Sequence, residues 1–267
     1  MTLTATNAEP LPNDNLICAA ERIFDGAAFR RELKAAERKG STPAETRKEA
    51  VALLRAARLS GRDAIAEAFA EAPFEARLMT RSYTYLTDQI VISALHVARD
   101  ILHPKPNPTS SEHLAVIAVG GYGRGEMAPY SDVDLLFLTP YKITAWAESV
   151  IESMLYILWD LKLKVGHASR TIQDCIRLGS EDFTIQTSML EHRFLAGDQT
   201  LAGTFADRLR KDLFSGSGKQ FVRAKLSERE TRHRKYGQRY VVEPNVKEGK
   251  GGLRDLQSLY WIAKHIH

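Results

Sequence analysis

The protein has 267 residues, of which 44% are hydrophobic and 26% are charged, and its formal net charge at pH 7 is +4. A chain of this size can bury a sizeable core in one or two domains, and so small a net charge gives no general indication of nucleic-acid binding. Cys18 and Cys175 lack CxxC spacing, so neither a disulfide framework nor a structural zinc site is indicated. Without a signal-peptide pattern or a long apolar span, we expect a soluble cytoplasmic protein that binds no membrane.

The N-terminal part of the sequence has the pattern of a helical scaffold. We expect a mobile tail over residues 1–15 and an N-terminal helical segment over 16–110. Within that segment Thr42, Pro43 and Glu45 are typical of a helix start, because they supply a cap, a first-turn proline and a first-turn acid. The prolines between 103 and 112 cannot continue a helix and mark a boundary.

The segment from 111 to 200 is predicted to form an α/β core. The short apolar runs "LAVIAVG" and "VDLLFL" contain β-branched residues and are bounded by turn residues, which indicates buried strands. A helix is predicted over "TAWAESVIESMLYILWDLKL", and "KVGHASRT" is predicted to be another strand. Strand, loop, strand, helix and strand in this order favour a sheet covered by helices.

The remainder of the chain is predicted to be helical again after Gly179, with a break at 215–219. Residues 201–267 are expected to begin a C-terminal helical domain, and the apolar pattern that runs to the last residue suggests a fragment of a longer protein. The basic run from Arg223 to Arg239 favours a solvated helix face, although a patch that faces phosphate or a partner protein is the alternative.

Two aspartates lie one residue apart in the stretch "VGGYGRGEMAPYSDVDLLFL". On a strand, Asp132 and Asp134 point to the same face, whereas Val133 points to the other. Two carboxylates that close repel each other unless a cation lies between them. The pair therefore predicts a divalent metal site, and oxygen ligands favour Mg²⁺, with Mn²⁺ as an alternative. The competing structural interpretation is a capped strand end or an ion pair with an arginine.

The same stretch contains a glycine-rich turn that suits a triphosphate. Gly120 and Gly121 end the first strand without side chains, so phosphate groups could approach the backbone amides closely. Arg124 adds a cation to this loop, and Ser131 could bond a phosphate or orient the turn. We therefore predict nucleotide binding by Gly120, Gly121, Arg124 and Ser131, with Asp132 and Asp134 as the catalytic metal ligands.

The spacing of these residues resembles a known signature. Gly120-Gly121 followed by Asp132-Val133-Asp134 resembles the motif of the DNA polymerase β nucleotidyltransferase superfamily. Together with "VGHASRT", "SMLEHRFLAGD" and "VEPNVKEGKGGLRDLQSLYWIAKH", it is similar to the bacterial protein-PII uridylyltransferase/uridylyl-removing family. The resemblance implies an α+β nucleotidyltransferase fold with a small mixed sheet, flanked by helical segments. It also implies UMP transfer from UTP to a tyrosine of the PII nitrogen-signalling protein, with two magnesium ions at the aspartates.

One feature departs from the pattern of the superfamily, in which many members have a third carboxylate on a later strand. The strand predicted over 165–170 contains no acid; Asp182 or Glu191 could substitute, or the partner protein could help to complete the site, and the sequence assigns no general base. Two other functions therefore stay open. The first is adenylyl or nucleotidyl transfer to another protein, a small molecule or RNA, and the second is a nucleotide-sensing module without catalysis.

Overall fold

The computed structural model describes residues 15–37, 42–105, 107, 109, 111–236, 243 and 245–266. The mobile tail predicted over 1–15 lies outside this part of the chain, apart from Asn15. The described residues form two compact units. The sheet unit comprises residues 15–173 and 191–203, and the helical unit comprises residues 174–190 and 204–266.

The sheet unit begins with helices. They are α1 (Ala20–Ile23), α2 (Gly26–Glu37), α3 (Pro43–Glu71) and α4 (Ala76–His96), the last of which continues into a π-helical turn, Val97–Leu102. The predicted start of α3 is confirmed, because Thr42 accepts a hydrogen bond from the Glu45 amide and the Glu45 carboxylate accepts one from the Thr42 amide. This reciprocal cap satisfies amides that a helix start otherwise leaves unpaired.

A small mixed sheet follows these helices. Its strands are β1 (Ala115–Ala118), β2 (Val133–Thr139), β3 (Val165–Thr171) and β4 (Arg193–Gly197). The strand order is β3-β2-β1-β4; β1 is antiparallel to both of its neighbours, and β2 is parallel to β3. The helix α5 (Gly120–Gly123) lies between β1 and β2, and α6 (Ala145–Asp160) makes the crossover that a parallel pair of strands requires.

The hydrophobic core of the sheet unit explains the orientation of β2. Val133, Leu135 and Phe137 are almost fully buried and belong to one apolar cluster with residues of α3, α4 and α6, such as Leu54 and Ile90. Since side chains alternate along a strand, burial of this set directs the intervening side chains to the opposite face of the sheet.

The prediction that the chain is helical throughout after Gly179 was wrong for β4. The strand contains Arg193 and ends at Gly197, so it lacks the β-branched run that marked the other strands. Its backbone pairs antiparallel with the free edge of β1. This pairing joins segments about 80 residues apart in the chain, so no local pattern indicates it.

The break predicted at 215–219 is observed over residues 215–217, since the next helix begins at Gly218. The helical unit contains most of α7 (Ile172–Glu181), all of α8 (Phe183–Leu190) and the second half of α9 (Gln199–Arg208). A π-helical turn over Leu209–Phe214 follows α9, and α10 (Gly218–Lys235) and α11 (Leu253–Ile266) complete the unit. Phe221 and Trp261 pack with Leu190 in its small apolar core. No helix in the described ranges is both long and apolar enough to cross a membrane.

Part of the basic run on α10 is neutralised by an acid on α11. Asp255 accepts hydrogen bonds from Arg232, His233 and the amide of Gly251. Partial burial raises its pKa, but the hydrogen bonds from Gly251, Arg232 and His233 outweigh burial and lower the pKa of Asp255 to about 2. At least this section of the run therefore has a structural role in joining two helices.

Candidate active site

The two aspartates lie at the start of β2, on the face opposite the core. Asp132 is exposed and immediately precedes the strand, and Asp134 is half-buried within it. Burial raises the pKa of Asp134, and the negative charge of Asp132 raises it further. The two carboxylates are therefore close enough to repel each other, as the alternation of the strand predicted.

Glycines border the Asp134 carboxylate on two sides. A Cβ atom at Gly120 would lie 3.4 Å from Oδ2 of Asp134, and Gly166 is the residue paired with Asp134 in the parallel register of β2 and β3. A Cβ atom at Gly166 would overlap Oδ1 of Asp134. The carboxylate thus lies in a cleft that exists because neither neighbour has a side chain. The motif indicated Gly120, but only the register of β3 identifies Gly166.

The predicted phosphate loop is a single helical turn, α5. Gly120 has a φ of +59°, a left-handed conformation that glycine adopts without strain. At Gly123, a Cβ atom would overlap the carbonyl oxygen of Glu191, so this glycine is required by close packing. Gly121 is partly exposed, and its nearest neighbour is the Arg124 side chain. Of these glycines, Gly121 has the most open surroundings for an approaching ligand.

Arg124 lies beside the glycine turn, where an acid holds it. Its Nη1 donates to Oε2 of the buried Glu191 at 2.6 Å, and its Nη2 lies 3.6 Å from the Cβ position of Gly121. Burial alone would lower the pKa of Arg124, but the hydrogen bond and charge of Glu191, with a smaller contribution from Glu126, raise it. Arg124 therefore stays a cation next to Gly121, and its binding of phosphate stays a prediction.

Ser131 has a local role in the turn that leads to Asp132. Its hydroxyl accepts a hydrogen bond from the Ala128 amide at 2.9 Å, and its own amide donates to the Ala128 carbonyl at 3.1 Å. These bonds fix the approach of the chain to β2. A phosphate contact by the exposed Ser131 stays a prediction.

A buried ion pair supports the glycine turn from behind. Arg193 on β4 makes two hydrogen bonds with Asp88 on α4, at 2.7 and 2.9 Å, and both side chains are about 6% exposed. The same guanidinium donates to the carbonyl oxygens of Gly123 and Tyr122, each at 3.3 Å. The turn is thereby connected to α4 and β4. Sequence reasoning missed both Arg193 and Asp88, since they lie 105 positions apart.

The aspartate pair fits a divalent cation bound partly by other ligands. Carboxylate oxygens are the ligand type that Mg²⁺ and Mn²⁺ prefer, and the cleft formed by Gly120 and Gly166 leaves Asp134 accessible. In the described part of the chain, no group of three or more His, Cys, Asp and Glu side chains is placed so that it could hold a metal ion. A cation at Asp132 and Asp134 would therefore complete its coordination with water and phosphate oxygens, as magnesium does at many phosphate sites.

The two acids considered as a third carboxylate both have other partners. Glu191 is ion-paired with Arg124. Asp182 lies in the helical unit, where its carboxylate accepts hydrogen bonds from the amides of Thr184 and Ile185 at the start of α8. These contacts give each acid a structural role, and a catalytic role for either one remains untested.

Replacing Gly166 with Ala is expected to impair metal binding at the predicted site while leaving the fold intact. The added methyl group would displace the Asp134 carboxylate, and misplacement by about 1 Å can cost on the order of 10²-fold in rate. The expected result is a higher magnesium requirement and slower transfer, measured by titrating magnesium in an activity assay. Gly203→Ala is the matched control, because a Cβ atom there has no neighbour within 4 Å. Equal magnesium dependence in both variants would contradict the prediction that Asp134 binds a metal in this cleft.

Comparisons with known proteins identify sequence relatives of this chain. Residues 109–182 match the nucleotidyltransferase domain family, and residues 220–267 match the GlnD PII-uridylyltransferase family. Curated proteins named bifunctional uridylyltransferase/uridylyl-removing enzyme are similar over most of the chain. The protein from Ruegeria pomeroyi is 64% identical over 245 residues, which are 92% of this chain and 27% of the relative. The proteins from Cereibacter sphaeroides and Phenylobacterium zucineum are 57% and 51% identical, over 94% and 92% of this chain and 27% and 26% of their own lengths.

The matching relatives are much longer than this chain, which spans about a quarter of their length. The nucleotidyltransferase match covers β1, β2 and β3 and contains both aspartates and the glycine turn. This chain is therefore similar to part of the bifunctional uridylyltransferase/uridylyl-removing enzymes, and it contains a segment that matches the nucleotidyltransferase domain family.

Proposed function

We propose that this chain performs metal-dependent transfer of UMP from UTP to a tyrosine of the PII signalling protein in the bacterial cytoplasm. The observation that supports it best is the Asp132–Asp134 pair, held in a glycine-bordered cleft on a chain 64% identical to a named uridylyltransferase. The two carboxylates provide oxygen ligands for Mg²⁺ or Mn²⁺. The adjacent glycine turn is a place at which a triphosphate can approach the backbone.

The proposed reaction replaces pyrophosphate with the tyrosine oxygen at the α-phosphorus of UTP. The tyrosine oxygen bonds to the α-phosphorus, the bond from that phosphorus to the bridging oxygen of the β-phosphate breaks, pyrophosphate leaves, and the phenolic proton passes to solvent. When bound, a divalent cation would neutralise negative charge on the leaving pyrophosphate. Asp132 and Asp134 would hold that cation, and the glycine turn would leave room for the phosphates beside it.

Arg124 completes the proposed site from the side of the glycine turn. With Nη1 engaged by Glu191, the guanidinium keeps Nη2 beside Gly121 and adds a fixed positive charge close to the expected phosphates. A preoriented cation is more effective than a mobile one because no reorganisation is needed when the charge of the leaving group develops.

Incubation of the chain with PII protein, magnesium and UTP labelled in the α-phosphate tests this proposal. We expect label on PII that depends on magnesium and is not diluted by excess ATP. Label that excess ATP removes would favour adenylyl transfer instead. Magnesium-dependent UTP binding without label on PII would favour a nucleotide-sensing module, and absence of UTP binding would contradict both.

A further inference from the structure

A cavity lies in the sheet unit, beside the segment that leads into Asp132. It has a volume of about 120 Å³ and is bordered by α3, α4, residues 127–131 and the connection from α6 to β3. Every charged residue that lines it is basic, and no Asp or Glu contributes to its wall. These basic residues are Arg58, Arg62, Lys162 and Lys164.

The cavity is separate from the face that holds the aspartates. Val133 lines it, and Val133 belongs to the core side of β2. Asp134 points to the opposite face, because consecutive strand residues alternate. A ligand in this cavity would therefore lie near the start of β2 but behind the aspartate pair; of the residues predicted to bind nucleotide, Ser131 alone also lines the cavity.

The four cations lack acidic partners. Within the described ranges, none of them forms an ion pair with an Asp or Glu side chain, whereas many arginines elsewhere in the unit do, such as Arg47 with Asp160. Arg58 and Arg62 lie four positions apart on one face of α3, a spacing at which like charges repel. Burial lowers the pKa of Arg58, and the charge of Arg62 lowers it further. An anion between these side chains would relieve the repulsion.

Lys162 has a backbone conformation that is unusual for its residue type. It follows the last turn of α6 with a φ of 60°, at a position where helices favour glycine or asparagine. The amide of Leu163 donates to the carbonyl of Leu158 and closes this helix end. A lysine in place of glycine here has a conformational cost, and such exceptions concentrate at functional sites. Its effect is to put a further cation at the rim of the cavity.

We propose that this cavity is an anion site that binds a small oxyanion, such as a phosphate or carboxylate group. Its volume is well below the roughly 300 Å³ at which pockets begin to enclose drug-sized ligands, which favours a small ion over a nucleotide. The guanidinium and ammonium groups are donors that make strong charge-assisted hydrogen bonds to such oxygens. The oxyanion comes either from solution, as free phosphate, or from an acidic group on the bound protein substrate.

Calorimetric titration with inorganic phosphate, at constant ionic strength set with chloride, tests the site directly. The double variant Arg62→Gln, Lys164→Gln is expected to bind phosphate at least about tenfold more weakly than the parent, since two charge-assisted contacts are lost. Arg31→Gln, Lys34→Gln is the control, because it removes the same charge from exposed positions on α2. Melting temperatures establish that all three proteins are folded.

The proposal is decided by comparing phosphate binding to the parent, the cavity variant and the control variant. Loss of phosphate affinity in the cavity variant alone, with unchanged binding of magnesium-UTP, would support the proposal. Absence of phosphate binding to the parent, equal weakening in the control, or undiminished binding to the cavity variant would overturn it.

A second measurement identifies the source of the oxyanion, and this step alone rests on the proposed function. Phosphate is added to the transfer assay, with chloride as the reference salt. A raised KM for the protein substrate, absent in the cavity variant, would identify an acidic group of that substrate. An unchanged KM with phosphate bound would identify the free ion. If transfer itself is not observed, the proposed function fails while the calorimetric test of the site still stands.

Discussion

Replacing Asp134 with Asn is expected to abolish nucleotidyl transfer without unfolding the protein. A bound metal ion that neutralises charge in the transition state would contribute several kcal/mol, so losing it through a missing ligand corresponds to about 10³-fold in rate. Because Asp134 is half-buried and its pKa is raised by burial and by Asp132, removing its charge relieves an unfavourable interaction in the metal-free protein. We therefore expect an unchanged or slightly higher melting temperature. The measurements are transfer activity and thermal melting, each with and without magnesium-UTP.

The control for this variant is Asp63→Asn, which removes the same charge from an exposed position on α3. It is expected to keep full activity and the same stabilisation by magnesium-UTP. Asp132→Asn should lose activity as Asp134→Asn does. Turnover close to that of the parent in either aspartate variant would remove that residue from the proposed metal site.

Replacing Arg193 with Met is expected to cause a large loss of stability. The substitution leaves Asp88 as a buried carboxylate without its cation, and breaking a buried ion pair in this way costs about 3–5 kcal/mol. It also removes the hydrogen bonds to the carbonyl oxygens of Gly123 and Tyr122, so the glycine turn loses its support. Denaturant unfolding of the parent and the variant measures the difference in the free energy of unfolding.

The double variant Asp88→Leu, Arg193→Met separates the two effects. Replacing both members of a buried pair with apolar residues is often close to neutral, so most of the stability should return. Binding of magnesium-UTP should stay weaker than in the parent, because the turn still lacks its donor from β4. A double variant as unstable as the single one would show that the bonds to Gly123 and Tyr122, and not the unpaired charge, account for the loss.

The ion pair between Arg124 and Glu191 determines which substitutions can test phosphate binding by Arg124. Arg124→Ala would leave Glu191 buried without its cation, so weaker nucleotide binding could follow from a disturbed turn as well as from a lost phosphate contact. The variant Arg124→Lys keeps a cation near Glu191 but not the planar fork that extends toward Gly121. A comparison of nucleotide binding by the two variants therefore shows whether the positive charge at this position or the planar shape of the guanidinium is required.

The local sequence by itself determined the acidic pair, the glycine turn and most of the elements that hold them. The alternation in "DVDLLFL" is enough to direct Asp132 and Asp134 to one face and Val133 to the other, since the period of a strand is fixed by its backbone. The cap at Thr42 and the helix between β2 and β3 also follow from residues that are neighbours in the chain. Such features depend on interactions within a few positions, which is why a pattern can indicate them.

Only the tertiary structure decided which residues surround that pair and that turn. The parallel register of β2 and β3 places Gly166 against Asp134, pairing with β1 creates β4, and burial brings Arg193 to Asp88 across 105 positions. These contacts form when the helices and the sheet pack around a common core, and their free energy comes from burial and long-range pairing that the local pattern does not encode. The sequence therefore determined which residue types form the predicted site, and packing determined which other residues hold them in place.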